Sequence, residues 1–359
     1  MQLMLSQKKT KIKAAEKQPF YLPFSNMTSG KTPKLLRWNN NFFVLLLILS
    51  YCIANANQDS LTMQQRMHKL DTASAIKFSL NGLVKEKIEV FGKQKKLIAE
   101  CIAAGQLYFP VIDAEFTKSK IPLELKYITV MESHVNPAAG KSEGPAGLWQ
   151  ITNGTGQALG LRNDKYIDSR RDPAASTRAV AGYFNKLYKL YGDWLLAITA
   201  YQIGNGTLDK IIAKHGGEKD YWKLRKHLPA FASEYMAKYF AVCYVMENYE
   251  SFGVVKYDGK FNPSKLDTVR ITQAIGFERM AQGLGISKAD IAKLNPHFRQ
   301  NLFPAENGIY AILPKEAAAT FKADPNKIYT FPVQKKIVPK KPASKKPAPK
   351  KSTKKKKKK

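Results

Sequence analysis

The chain has 359 residues, 44% apolar and 11% aromatic, enough for about two domains of ~100–200 residues each, which excludes wholesale disorder. Its net charge of +31 is uneven: Lys335–Lys359 holds 14 lysines and no acid, Met1–Asn40 carries +7, and the rest only +10. Three cysteines (Cys52, Cys101, Cys243) exclude a disulfide scaffold and a multi-thiolate zinc site; five scattered histidines show no His-Glu-x-x-His spacing, and no Gly-x-x-x-x-Gly-Lys-[Ser/Thr] loop is present, so nothing points to a metal site or to nucleotide chemistry.

Residues 1–56 read as a leader. Phe42–Ile53 is an apolar run of about a dozen residues, short of the ~20 that span a bilayer as a helix. Lys31, Lys34 and Arg37 precede it and Ala54-Asn55-Ala56 follows, the order of a secretory signal cleaved after Ala56. Translation from Met27 would give a leader of ordinary length. Lipidation of Cys52 is the alternative, disfavoured by bulky Tyr51 in front of it. The mature protein is expected in the periplasm or cell envelope, and whether Cys101 and Cys243 pair there stays open.

Residues 57–105 read as a polar, helical and peripheral segment. From Pro122 a helix is predicted, with Leu123, Tyr127 and Val130 on one stripe and Leu125, Ile128 and Met131 on a second, ending at Asn136-Pro137. Asp172-Pro173 signals the cap and first turn of another, carrying Ala179, Tyr183, Leu187 and Leu190 as far as Gly192. Asp193 caps WLLAITAY, which stops near Gly204. After Pro229 an amphipathic helix is predicted with Tyr235, Tyr239, Val242, Met246 and Tyr249 on one face. Residues 266–315 hold short strands flanking two short helical patterns, and 331–359 is a Lys/Pro-rich stretch that cannot build a core.

The chemical anomaly is Glu132, set directly after YITVM. A carboxylate among apolar neighbours loses hydration of its charged form, so its pKa should rise, as a general acid near neutral pH requires. Glu143 and Asp168 lie in polar loop sequence and read as surface groups.

Glu132-Ser133, Asn136-Pro137, Gly144-Pro145-Ala146-Gly147-Leu148-Trp149-Gln150, Ala200-Tyr201-Gln202-Ile203-Gly204 and Tyr235 follow one another in an order that resembles the soluble-lytic-transglycosylase family. IPLELKYITVMES, DSRRDPAASTRAVAGYF and LYGDWLLAITAY are most similar to its membrane-bound lytic murein transglycosylase D subfamily. The resemblance covers roughly Gln106 to Gly253 and implies a mainly α, bilobal lysozyme-like catalytic domain, placed at residues 106–255, that cleaves peptidoglycan. It assigns Glu132 as catalytic acid and base, with Tyr235 beside it. Ser133, Gly147, Leu148, Gln150, Tyr201, Gln202 and Gly204 are assigned to the substrate cleft, and Trp149 and Tyr201 present flat faces suited to sugar rings; core packing is the alternative for Trp149, Leu148 and Tyr235. Such an enzyme needs one carboxylate, because the substrate's N-acetyl oxygen can support the anomeric centre and the C6 hydroxyl can close a 1,6-anhydro ring. Gln202 departs from the family's asparagine, Glu143-Gly144-Pro145-Ala146 from a stretch rich in alanine and glycine, and Ile151-Thr152 from a Phe-Met pair. A muramidase hydrolysing the same bond, and a non-catalytic peptidoglycan-binding protein, are the rival readings.

Phe277–Pro314, with its LGIS, LNP and IYAILP segments, resembles a single divergent LysM module, a small α+β unit; the resemblance implies binding of N-acetyl sugars, with a structural role against the catalytic domain as the equal alternative. The lysine tail suits anionic envelope polymers or lipid head groups, with simple solubilisation as the alternative. Specific nucleic-acid binding is not expected, for the tail lacks aromatics for base stacking.

Overall fold

The computed structural model describes residues 62–256 and 259–334. The leader, with its cleavage pattern and Cys52, and the lysine tail lie outside the described residues. Helix α1 (Met63–Ala73) opens on a capping box between Thr62 and Gln65, α2 (Gly82–Gly92) on an Asn81 cap, and α3 (Lys95–Ser119) ends at Lys120 in the left-handed region. These helices are not peripheral. Met67, Val84, Ile88, Ile98 and Cys101 are buried in the main core, and the expected boundary at Gly105 falls inside α3. The apolar positions of this segment are sparse but share a stripe on each helix, enough to seat it.

The helix predicted from Pro122 is two pieces, a 3-10 turn at Leu123–Tyr127 and α4 (Ile128–Ser133). At the junction the Thr129 hydroxyl donates to the Lys126 carbonyl (2.7 Å), the local competition that bends helices. His134 and Val135, both at positive φ, end α4 before Pro137 is reached. After α5 (Asn153–Ala158), α6 (Pro173–Tyr191) starts where Asp172 accepts from the Ala174 and Ala175 amides, and stops at Gly192. Its buried stripe is Val180, Phe184, Leu187 and Tyr191; of the expected row only Leu187 is buried, Ala179 and Tyr183 are half-buried, and Leu190 is exposed. Apolar side chains occupy adjoining rows of α6, so the neighbours α3 and α7 (Trp194–Ile203), and not spacing alone, select the buried row.

Helices α8 (Asn205–Lys214) and α9 (Tyr221–Leu224) lead to α10 (Tyr235–Glu247). This helix is not amphipathic: of Tyr235–Met246 every residue but Lys238 is buried, because α2, α4 and α7 pack around it. Cys101 and Cys243 are both free and buried.

The C-terminal module is built on β1 (Leu266–Arg270) paired antiparallel with β4 (Tyr310–Pro314), in the register Leu266↔Pro314 to Arg270↔Tyr310. A second short pair joins β2 (Ile275–Gly276) to β3 (Leu302–Phe303), and α11 (Phe277–Leu284) and α12 (Lys288–Leu294) lie between them in sequence. The module runs past the expected limit at 315. In α13 (Lys315–Ala323) and α14 (Pro325–Tyr329), Ala318, Phe321, Ile328 and Tyr329 complete its core. The two cores exchange side chains: Ile167 of the helical domain is buried in the module's cluster, and Leu294 of the module in the main one.

The cap of α7 is a test of this local logic. Asp193 accepts from the Leu196 amide (2.9 Å). Replacing it with alanine should cost about 1 kcal/mol, read as a lowered Tm.

Candidate active site

Glu132 is carried on the last turn of α4, and its Oε1 accepts the Tyr235 hydroxyl at 2.7 Å. The two residues are 103 positions apart, brought together because α10 runs behind α4. Burial pushes the Glu132 carboxyl above its ordinary 4.5, and the Tyr235 hydrogen bond pulls the other way without cancelling it. Burial, and then the nearby Glu132 charge, holds the Tyr235 phenol well above 10, so it stays a donor throughout the neutral range. Tyr201 is likewise kept protonated, by burial first and by Glu132 second.

Glu132 opens into a cavity of about 260 Å³ whose lining includes Trp149, Gln150, Tyr201, Gln202 and Gly204 among the expected residues. Ile151, Thr152, Thr155, Leu159, Val180 and Tyr183 complete it, and Glu132 is the one carboxylate in that lining. A wider hollow of about 520 Å³ beside Phe261 and Lys293 contains none of the expected residues; chemistry, not volume, identifies the site. Tyr201 is fixed twice over, by donating to the Trp149 carbonyl (2.8 Å) and by stacking on Phe184. Gln202 has a buried Oε1 with no hydrogen-bond partner. Gly204 ends α7 at φ 81 and ψ 138, a conformation that frees the chain to turn at once into α8.

Three expected residues lie behind the cavity and not in its lining. Ser133 is buried, with its Oγ within hydrogen-bond distance of the Leu148 and Thr129 carbonyls (2.8 and 3.0 Å). Leu148 is core. Gly147 sits at φ +85 with its Cα against the Arg170 carbonyl; a Cβ there would lie 1.8 Å from that oxygen. The Trp149 indole is also core, its Nε1 donating to Thr177 Oγ1 (3.0 Å). Gln150, at φ 46, donates its side-chain amide to the Gly147 carbonyl (2.9 Å).

Glu143 is exposed, as expected. Asp168 is not a surface group: it is fully buried, with Arg170 at 2.8 Å, Arg299 at 3.2 Å and Arg171 at 3.4 Å. Burial raises its pKa, but the Arg170 hydrogen bonds and charge, then those of Arg299, hold it below the usual carboxylate value. The run Asp-Ser-Arg-Arg-Asp carried the signal, alternating charges beside the Asp172 cap. Its polarity reads as solvation until the third arginine arrives from 131 residues away.

Residues 110–224 match the transglycosylase SLT domain family, and residues 265–330 match the LysM-like domain of lytic transglycosylase MltD. The chain is 28% identical over 242 residues to membrane-bound lytic murein transglycosylase D of Escherichia coli strain K12, which covers 66% of this chain and 53% of that protein. It is 30% identical over 119 residues to membrane-bound lytic murein transglycosylase F of Alcanivorax borkumensis, covering 30% of this chain and 24% of the relative. To peptidoglycan transglycosylase gp16 of Escherichia phage T7 it is 38% identical over 86 residues, or 23% of this chain and 6% of that one. The chain thus spans about half the length of the murein transglycosylase D that it matches. The SLT match lies within the helical part, and the LysM-like match covers the C-terminal module. Tyr235 lies beyond the residues matched to the SLT domain and reaches Glu132 through α10.

The Glu132–Tyr235 pair makes a signed prediction. The phenol stabilises the ionised carboxylate, so Tyr235→Phe should raise the Glu132 pKa further. Carboxyl-detected NMR titration of the two proteins would read the shift, and a downward one would contradict the geometry.

Proposed function

We propose that this chain is an exported lytic transglycosylase that cleaves the MurNAc–GlcNAc β-1,4 bond of peptidoglycan and leaves a 1,6-anhydro-MurNAc end. The observation that carries this reading is the half-buried Glu132, alone among carboxylates in the lining of its cavity, with a raised pKa and a tyrosine hydroxyl at 2.7 Å. The SLT and LysM-like matches support peptidoglycan as the substrate.

In this reading Glu132 delivers its proton to the glycosidic oxygen as the C1–O bond breaks. The N-acetyl carbonyl oxygen of the same sugar supports the anomeric carbon, so no protein nucleophile is needed. The new carboxylate is stabilised by the Tyr235 O–H and then takes the proton of the C6 hydroxyl, whose oxygen closes on C1. Glu132 ends protonated again, and no water is consumed. A hydrolase using a protein nucleophile would need a second carboxylate about 5–5.5 Å from the first, and the cavity lining offers none. The leader fits export to the envelope, and the lysine tail fits attachment to anionic polymers or lipid head groups there.

Glu132→Gln tests the mechanism. It keeps the shape of the side chain but can neither give nor take a proton, so turnover of purified glycan strands should fall about 10⁴-fold or more. Mass analysis of wild-type products should show ends lighter by one water than hydrolysed ends; reducing ends would transfer the assignment to a muramidase. The same variant has a stability signature. Because the native pKa of Glu132 lies above 4.5, the folded state holds a proton that the unfolded state releases, and stability falls as pH rises from 4.5 to the native value. Glu132→Gln removes that loss, so its Tm at neutral pH should equal or exceed that of the wild type.

Gln202 gives an independent test. Its buried, unpartnered Oε1 carries a desolvation cost that a substrate N–H or O–H would relieve. Gln202→Ala should lower kcat/KM about tenfold, equivalent to about 1.4 kcal/mol, without lowering Tm. Gln202→Asn should retain activity. Wild-type kinetics in Gln202→Ala would remove the amide from substrate recognition.

A further inference from the structure

The loop of residues 138–151 supplies the floor of the acid's surroundings: the Leu148 carbonyl meets Ser133 Oγ, the Trp149 carbonyl holds Tyr201, and Gln150 and Ile151 line the cavity. Two arginines hold this loop by its backbone. Arg170 donates to the carbonyls of Ser142 (2.9 Å), Gly144 (2.8 Å) and Ile151 (3.2 Å). Arg171 donates to those of Ala138 (2.5 Å), Ala139 (3.0 Å) and Gly140 (3.1 Å). Both guanidinium groups are oriented by one buried carboxylate, Asp168, which meets Arg170 Nε at 2.8 Å and Nη2 at 2.9 Å, and Arg171 Nε at 3.4 Å.

Asp168 is held in turn from the LysM-like module. Arg299 Nη2 donates to Asp168 Oδ2 (3.2 Å) and Asn163 Oδ1 (2.7 Å), and its Nη1 to the Asp164 carbonyl (2.8 Å). The backbones interlock at the same place: the Asp168 amide donates to the His297 carbonyl (2.9 Å) and the Arg299 amide to the Tyr166 carbonyl (2.7 Å). Ile167 pairs with Phe298 between these bonds.

We propose that Arg299 is a positioning residue for the active site, through which the LysM-like module fixes Asp168 and thereby the Arg170 and Arg171 grip on the 138–151 loop. The module in this role is a structural part of the catalytic centre and not a separate sugar grip. Loss of Arg299 leaves Asp168 with two arginines, so the variant retains a paired buried charge and should fold. What it loses is the constraint on the module side, where a guanidinium bonds three oxygens of one segment at once. The inference rests on the reading of Glu132 as the acid; the clamp itself is measurable without activity.

The test compares the full-length wild type with Arg299→Gln and Glu306→Gln. Glu306 pairs with Arg162 across the same interface (2.6 and 3.0 Å), is bonded to neither Asp168 nor Arg170, Arg171 or Arg299, and both partners are more than a third exposed. Hydrogen exchange should show the amides of Ala146, Gly147 and Ile151, bonded within the loop, losing about tenfold in protection in Arg299→Gln and little in Glu306→Gln. On purified uncrosslinked glycan strands, kcat of Arg299→Gln should fall roughly three- to tenfold at unchanged KM, since displacement of supporting groups acts on orientation. Unchanged exchange in Arg299→Gln, or equal loosening in both variants, would overturn the clamp. A raised KM with unchanged kcat would make the module a glycan grip and also overturn it. Should Arg299→Gln not fold, Arg299→Lys is read by the same criteria, since one ammonium cannot bond all three oxygens. An inactive wild type would refute the proposed activity, while the exchange result would still decide the clamp.

Discussion

A carboxylate without solvent exposure is the constraint around which the site is organised. Asp168 is out of water, and an ionised group in that position is tolerated only when charge partners and hydrogen bonds replace its hydration. Three arginines do so here, and each also donates to at least one backbone carbonyl. Neutralising one buried charge therefore commits three guanidinium groups to fixed directions. The backbone follows so closely that Gly147 has no room for a side chain against the Arg170 carbonyl.

The acid itself obeys the opposite requirement. Glu132 sits where burial is incompletely compensated: one phenol donates to it, and no cation is among the causes that set its pKa. The contrast between the two carboxyls is physical. Asp168 is surrounded by permanent positive charge, which favours its ionised form, while Glu132 is half-buried with a single neutral donor, and burial favours its protonated form. The first suits holding a scaffold in place and the second suits exchanging a proton. Helix α10 serves both the fold and the site, since it fills the core on all sides and also delivers Tyr235 to the acid.

Several local features were legible in the order of residues. The Asp172 and Asp193 caps, the stop at Gly192, the presence of short strands in the C-terminal module and the raised pKa of Glu132 all follow from neighbours within a few positions. The features that escaped depend on distant partners. The buried row of α6 was ambiguous between adjoining stripes until α3 and α7 packed on it. Helix α10 has apolar residues on every side, so choosing one face from spacing understated its burial. Ser133, Gly147 and Leu148 belong to the motifs that surround the acid, yet the first offers its hydroxyl to backbone carbonyls and the others pack behind the cavity.

What the sequence by itself determined is the chemistry available: one glutamate after an apolar run, a tyrosine far downstream, an amide in the third motif, and helix signals strong enough to place each on its element. Those properties are local, because hydration, capping and backbone freedom depend on nearest neighbours. The tertiary structure alone decided which charges are dry. Asp168 reads as a solvated loop residue beside two arginines, and becomes a buried hub only when Arg299, 131 positions later, closes over it. No pattern of nearby residues encodes that closure, since desolvation is a property of the packed whole.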